Sequence, residues 1–106
     1  MKYFLSLLLI ITCNTYAGWS NSYGTVTDIW SHNGSVIIDT ELTDDPCGEG
    51  KKGFWWPISD SDSQIMLSLS LTAQTAGKKI SVVYDPGAPE CLYGRAKITH
   101  LRLRSD

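Results

Sequence analysis

Chemistry has few places to start in this chain: histidines at 32 and 100, cysteines at 13, 47 and 91, two acidic runs, and the adjacent pair Trp55-Trp56. A nucleophile needs a base beside it and a third group to orient that base. No Gly-x-Ser-x-Gly elbow occurs, and His32 and His100 fall in a turn and in a late strand. A small hydrolase would need an acid–base pair that the sequence does not supply, so no enzymatic activity is expected. "DDPCGEG" (44–50) and "SDSDS" (59–63) carry oxygen ligands, but neither has the acid spacing and central glycine of a calcium loop. Asp44, Asp45 and Glu49 read as a solvated loop, and Asp60 and Asp62 as helix-capping residues. No metal and no cofactor is expected. The tryptophans offer more. Neighbours on a strand face opposite sides, so if one is core the other lies at or near the surface. An exposed Trp beside a polar rim is a platform for a sugar face or a protein contact. The alternative is that both pack, one in the core and one under the long 41–53 loop.

These residues have to be positioned by a small domain. "MKYFLSLLLIITCNTYA" (1–17) has a Lys at position 2, an apolar run and a small-residue end, the layout of a secretory signal peptide cut after Ala17. The apolar run is too short to span a bilayer, which needs about 20 residues. Acylation at Cys13 is the competing reading, with Thr12 larger than usual before such a cysteine. The cut leaves Cys47 and Cys91, an even pair for an oxidising compartment, and their bridge would stabilise the fold by roughly 4 kcal/mol in the chain-entropy model. Residues 18–106 form one domain of 89 residues with 8 Lys and Arg against 11 Asp and Glu. That acidic balance argues against a nucleic-acid partner. No membrane insertion is expected.

"YGTVTDIW" (23–30) and "SVIIDT" (35–40) read as strands joined by Asn33-Gly34, the strongest short hairpin signal. Residues 41–53 read as loop, and "FWWPI" (54–58) as a third strand with Pro57 at an edge or end. "SQIMLSLSLTAQTAGKK" (63–79) is ambiguous. Ile65, Leu67, Leu69 and Leu71 alternate as on a strand, but alternation fails at Ala73-Gln74-Thr75-Ala76. Asp60 or Asp62 as N-cap and Gly77 as stop predict a helix over 62–76, with Ile65, Met66, Leu69, Ala73 and Ala76 as its core-facing stripe. Leu67 and Leu71 then lie on an outer ridge, as ordinary surface leucines or as a subunit contact. "KKISVVYD" (78–85) predicts a fourth strand and "RAKITHLRLRS" (95–105) a fifth. Steps of three, Val26 to Ile29 and Ile98 to Leu101, predict β-bulges in the outer strands.

The order strand-strand-strand-helix-strand-strand, with bends in two strands, predicts a mainly β fold with one helix: a five-stranded OB-fold-like barrel. The alternative is an α+β arrangement, a curved antiparallel sheet with the helix laid across it. On the OB-fold reading the ligand face draws on strands two and three and on the loops after strands one and four. That selects Trp55 or Trp56, His32, Asn33, Glu90 and Tyr93.

"YGTVTDI", "SVIIDT", "PC", "LSLTAQTAGKKISVVYD", a second Cys and a closing "ITHLRL" together resemble small exported proteins of Gram-negative bacteria similar to the B subunit of subtilase cytotoxin. The resemblance covers most of residues 24–103. It implies an OB-fold, a disulfide, a ring of five chains and, for the toxin subunits, glycan binding. It transfers no binding residue position by position. The expectation is therefore an exported, periplasmic or secreted, non-catalytic protein that binds a glycan or another protein, an inhibitor or accessory subunit of an envelope enzyme being the second reading.

Overall fold

The computed structural model describes residues 18–105, so the signal-peptide expectation for 1–17, Cys13 included, lies outside the described residues. The strands are β1 (Gly18–Trp19), β2 (Val26–His32), β3 (Ser35–Thr40), β4 (Gly53–Pro57), β5 (Ile80–Tyr84), β6 (Cys91–Leu92), β7 (Arg95–Lys97) and β8 (His100–Leu103), and the helix is α1 (Ser63–Ala76). They make a mainly β fold of two sheets and one helix. One sheet has the order β2-β3-β4-β7-β6 and the other β1-β5-β8. All pairs are antiparallel except β4 with β7, and α1 lies against β2 and β8.

The β2–β3 hairpin forms at Asn33-Gly34, whose φ angles of 47° and 80° are those of a type I′ turn. The first expected bulge is present: pairing steps from Val26↔Thr40 to Asp28↔Asp39, leaving Thr27 without a partner. The last expected strand divides where the second bulge was read. Ile98 N–H donates to Trp55 O (2.9 Å) and Thr99 N–H to Val83 O (3.1 Å), so adjacent residues serve different sheets. The two-residue strands β1 and β6 are additions to the expected order. Pro57 ends β4 opposite Ser35, where its missing N–H costs no ladder bond.

The ambiguity over residues 63–79 resolves as helix. Gly77 closes α1 in the left-handed conformation, and Lys78 N–H bonds Ala73 O at 3.0 Å. At the other end Asp62 occupies the N-cap position, but its side chain makes no capping bond. The expected core stripe is corrected: Ser63, Met66, Ser70 and Ala73 are buried, whereas Ile65 and Ala76 are exposed. The buried serines are satisfied, because Ser63 Oγ accepts from Trp56 Nε1 (3.0 Å) and Ser70 Oγ donates to Met66 O (2.8 Å). A hydroxyl hydrogen-bonded within reach avoids the cost of burial, which frees the stripe to rotate. Leu67 packs partly against the core and Leu71 is exposed. The core gathers Phe54, Trp56, Ile38, Val36, Val82, Ile80, Ile98 and Met66 between the sheets and the helix. No helix among the described residues is long and apolar enough to cross a membrane.

Candidate binding face

Register puts Trp30, Ile37 and Trp55 in one row across β2, β3 and β4, on the sheet face away from that core. Ile37 is nevertheless fully buried and Trp55 nearly so. The β6–β7 hairpin and the segment before it lie across this face. Glu90 O accepts from Trp55 Nε1 at 3.1 Å, the Tyr93 ring meets the His32 ring edge-on at 5.2 Å, and the Arg95 guanidinium stands 5.3 Å from the Trp30 ring centre. The Cys47–Cys91 disulfide ties that hairpin to the 41–52 loop.

Both tryptophans of the pair are thus packed, as the second of the two readings has it, though Trp55 lies against the segment at Glu90 rather than under the 41–53 loop; the reading that one stands at the surface is corrected. Strand β4 is central, with β3 on one side and β7 on the other. Trp56 faces the core and Trp55 faces the hairpin. The exposed aromatics of this face are instead Trp30, 37% exposed, and Tyr93, 52% exposed. Of the expected residues, His32, Asn33 and Tyr93 come together, with Asn33 Nδ2 donating to His32 Nε2 at 3.1 Å. Glu90 contributes its backbone carbonyl to Trp55, and its carboxylate stands 4.0 Å from Lys97 Nζ.

Three residues of this face escaped sequence reasoning: Trp30, Asp39 and Arg95. Asp39 is the hub. Its Oδ1 accepts from Arg95 Nε at 2.7 Å and its Oδ2 from Trp30 Nε1 at 3.1 Å, which fixes both ring and guanidinium. The pair crosses β4 at Gly53, where a Cβ would sit 2.5 Å from Asp39 Oδ1 and 2.7 Å from Arg95 Nε. Arg95 Nη1 also donates to Tyr93 O at 3.0 Å. Signals for two of these were present: Trp30 precedes His32 by two on the same strand face, and Arg95 follows Tyr93-Gly94 directly.

That turn is the most informative local feature. Leu92 pairs with Arg95, and the residues between them, Tyr93 and Gly94, have φ angles of 53° and 77°. This is a second type I′ turn, in which the first position favours Asn, Asp or Gly. A bulky L-residue there costs about 1–2 kcal/mol. Tyr93 is half exposed and meets the His32 ring edge-on, so packing offsets that strain only in part.

A second polar cluster is structural. Asp44 is buried and accepts from Asn21 N (2.9 Å), Ser22 N (3.0 Å), Ser22 Oγ and Tyr84 Oη (2.7 Å). Burial works against its ionisation, but the bonds from Ser22, Tyr84 and Asn21 outweigh it and hold the carboxyl below its usual range. Burial, and then the adjacent carboxylate, push the Tyr84 phenol up. The cluster fastens the segment after β1 to the long loop and to β5. Among the described residues no three His, Cys, Asp or Glu side chains gather as a metal site. A scan against protein-family models finds no match to this chain, and a search of curated proteins finds none either.

Proposed function

We propose that this chain is an exported, non-catalytic binding protein whose Trp30–Tyr93 face takes a glycan. The observation that carries the reading is Tyr93: a half-exposed aromatic held at φ 53°, beside a second exposed aromatic and a rim of hydrogen-bonding groups. Strain of this kind at a solvent-facing position points to a role for the side chain itself. An apolar sugar face stacks on the Tyr93 ring, with the Trp30 edge beside it. Hydroxyls then bond to Asn33, His32 and the Arg95 donors not used by Asp39 and Tyr93 O. His32 is engaged by Asn33 and the Tyr93 ring, and His100 by the Thr99 hydroxyl and the Trp19 ring.

The finer fold reading is an OB-fold-like barrel of the toxin B-subunit kind. What supports it is the cyclic neighbour order. Strand β2 adjoins β3, β3 adjoins β4, β4 adjoins β7, β7 continues into β8, and β8 adjoins β5; β5 then returns to the start of β2 through paired bonds between Gly24 and Ile80 (3.2 and 2.8 Å). On that reading the two I′ turns are the loops that flank an OB-fold ligand site. A pentameric ring belongs to the same proposal.

A protein partner is the second reading, favoured by α1. Leu71 is exposed beside Thr72, Thr75 and Ala76, which line a shallow cleft of about 310 Å³. The test is a glycan array probed with the oxidised protein and with Tyr93→Ala. Binding that the variant loses supports the glycan reading, whereas no glycan signal together with a tight protein partner overturns it.

A further inference from the structure

The segment that covers Trp55 is fastened from outside. Residues 86–93 run from the end of β5 through β6, and most of them are exposed. Beneath them lie Ile37 and Trp55, both buried, on the sheet face turned away from the core. Strand β6 is an edge strand of two residues with β7 as its one neighbour in the sheet. Two ties hold the segment from within: Glu90 O accepts from Trp55 Nε1 (3.1 Å) and Lys97 N–H (2.8 Å), and the Tyr93 ring meets His32. The Cys47–Cys91 bridge holds it from the other side, through residues 45–51. That loop is largely exposed too. Its bonds from Gly48 N–H to Asp45 O (3.1 Å) and from Gly50 N–H to Asp45 Oδ2 (2.8 Å) run within the loop itself.

The bridge is asymmetric. Cys91 is exposed, whereas Cys47 is half-buried and packs against the core. Access decides which sulfur a thiolate attacks, and exposed disulfides are the labile ones. Attack on the Cys91 sulfur forms a mixed disulfide and expels Cys47 as a thiolate, which takes up a proton. The second thiol of a dithiol reductant then displaces Cys91, leaving two protein thiols and an oxidised, cyclic reductant, with two electrons passed to the bridge. The rest of the fold keeps its own supports. Ala96 and Ile98 are buried, Ile98 N–H bonds Trp55 O at 2.9 Å, and β7 retains its parallel pairing with β4. The Asp39–Arg95 ion pair at 2.7 Å lies on the same side of the turn. Lifting of 86–93 therefore uncovers Trp55 and Ile37 beside Trp30, an apolar row across three strands. A contiguous apolar row open to solvent is a contact surface.

We propose that Cys47–Cys91 is a reducible latch: a dithiol reductant opens it in the folded protein, segment 86–93 lifts, and the Trp55–Ile37 row is exposed. Reoxidation closes it. The device does not depend on what the oxidised face binds. The test is reduction of the oxidised protein by dithiothreitol without denaturant, followed by maleimide labelling of the released thiols and by hydrogen exchange. Thiol release should quicken in proportion to dithiothreitol, because attack on an exposed sulfur is direct. A rate that levels off at the global unfolding rate overturns the proposal. In the reduced protein, exchange at the Cys91 and Leu92 amides and at the Trp55 indole N–H should quicken at least about tenfold, while Ile38 and Val82 stay protected. Loss of protection at Ile38 and Val82 as well would make the bridge a staple of the whole fold, and unchanged exchange at Trp55 would leave the segment in place. Either result overturns the proposal. The double variant Cys47→Ser, Cys91→Ser should show the open pattern with or without dithiothreitol, and a closed pattern in it would equally contradict the latch.

Discussion

Tyr93→Asn separates a binding residue from a packing residue. Tyr93 sits at φ 53°, a conformation costing a bulky L-residue about 1–2 kcal/mol that Asn tolerates. Against that relief stands the loss of one edge-on contact with His32 at 5.2 Å, worth about 0.5–1.5 kcal/mol and toward the low end for exposed rings. The net change should lie between neutral and about 1 kcal/mol stabilising. Tyr93→Ala loses the same contact with less relief, because Ala keeps a Cβ and has no local hydrogen bond to offer, so it should fall below Tyr93→Asn by about 0.5–1 kcal/mol. Urea unfolding of the oxidised protein reads both. With a slope near 1 kcal/mol per molar for so small a domain, these differences move the midpoint by about 0.5–1 M. A loss of more than about 2 kcal/mol in Tyr93→Asn would refute the reasoning, since it would make the ring a packing group whose strain is repaid by burial.

Other outcomes follow from the same geometry. Gly53→Ala should destabilise by about 1–3 kcal/mol and shift tryptophan fluorescence, because a Cβ at that point displaces the Asp39–Arg95 pair that orients Trp30. Asp44→Asn should cost about 2–3 kcal/mol, since an amide cannot accept all the bonds the carboxylate accepts. The folded carboxyl of Asp44 lies below its unfolded value. Its contribution is therefore fully present above the unfolded pKa of about 3.9 and is lost as pH falls through the folded one; Asp44→Asn should flatten that part of an acid titration of stability. Replacing Cys47 and Cys91 with serine should cost about 4 kcal/mol and raise hydrogen exchange at Leu92 to Arg95.

The turn and bulge grammar of this chain was legible because it is local. Asn33-Gly34 fixes a hairpin by its own backbone preferences, and the steps of three at Val26–Ile29 and Ile98–Leu101 mark the places where pairing shifts. The helix was legible from its ends, but its buried face was not: Ser63 and Ser70 are core only because Trp56 Nε1 and Met66 O answer their hydroxyls, a tertiary fact. The reading of Trp55 or Trp56 as a surface platform failed for a related reason, while the reading that both pack held. Alternation assigns opposite faces correctly but does not say that a hairpin more than thirty residues later covers the second one. Tyr93-Gly94 is hard to read as a tight turn within its loop because Tyr contradicts the turn's own preferences, and the proposed binding role rests on that contradiction.

The central claim is that the Trp30–Tyr93 face binds a glycan, and the most direct measurement is a glycan array probed in parallel with the oxidised wild-type protein and with Tyr93→Asn. The account expects wild type to select one or a few related glycans, and Tyr93→Asn, folded and at least as stable, to lose that signal. Equal binding by the two proteins, or no glycan bound by wild type, would contradict it.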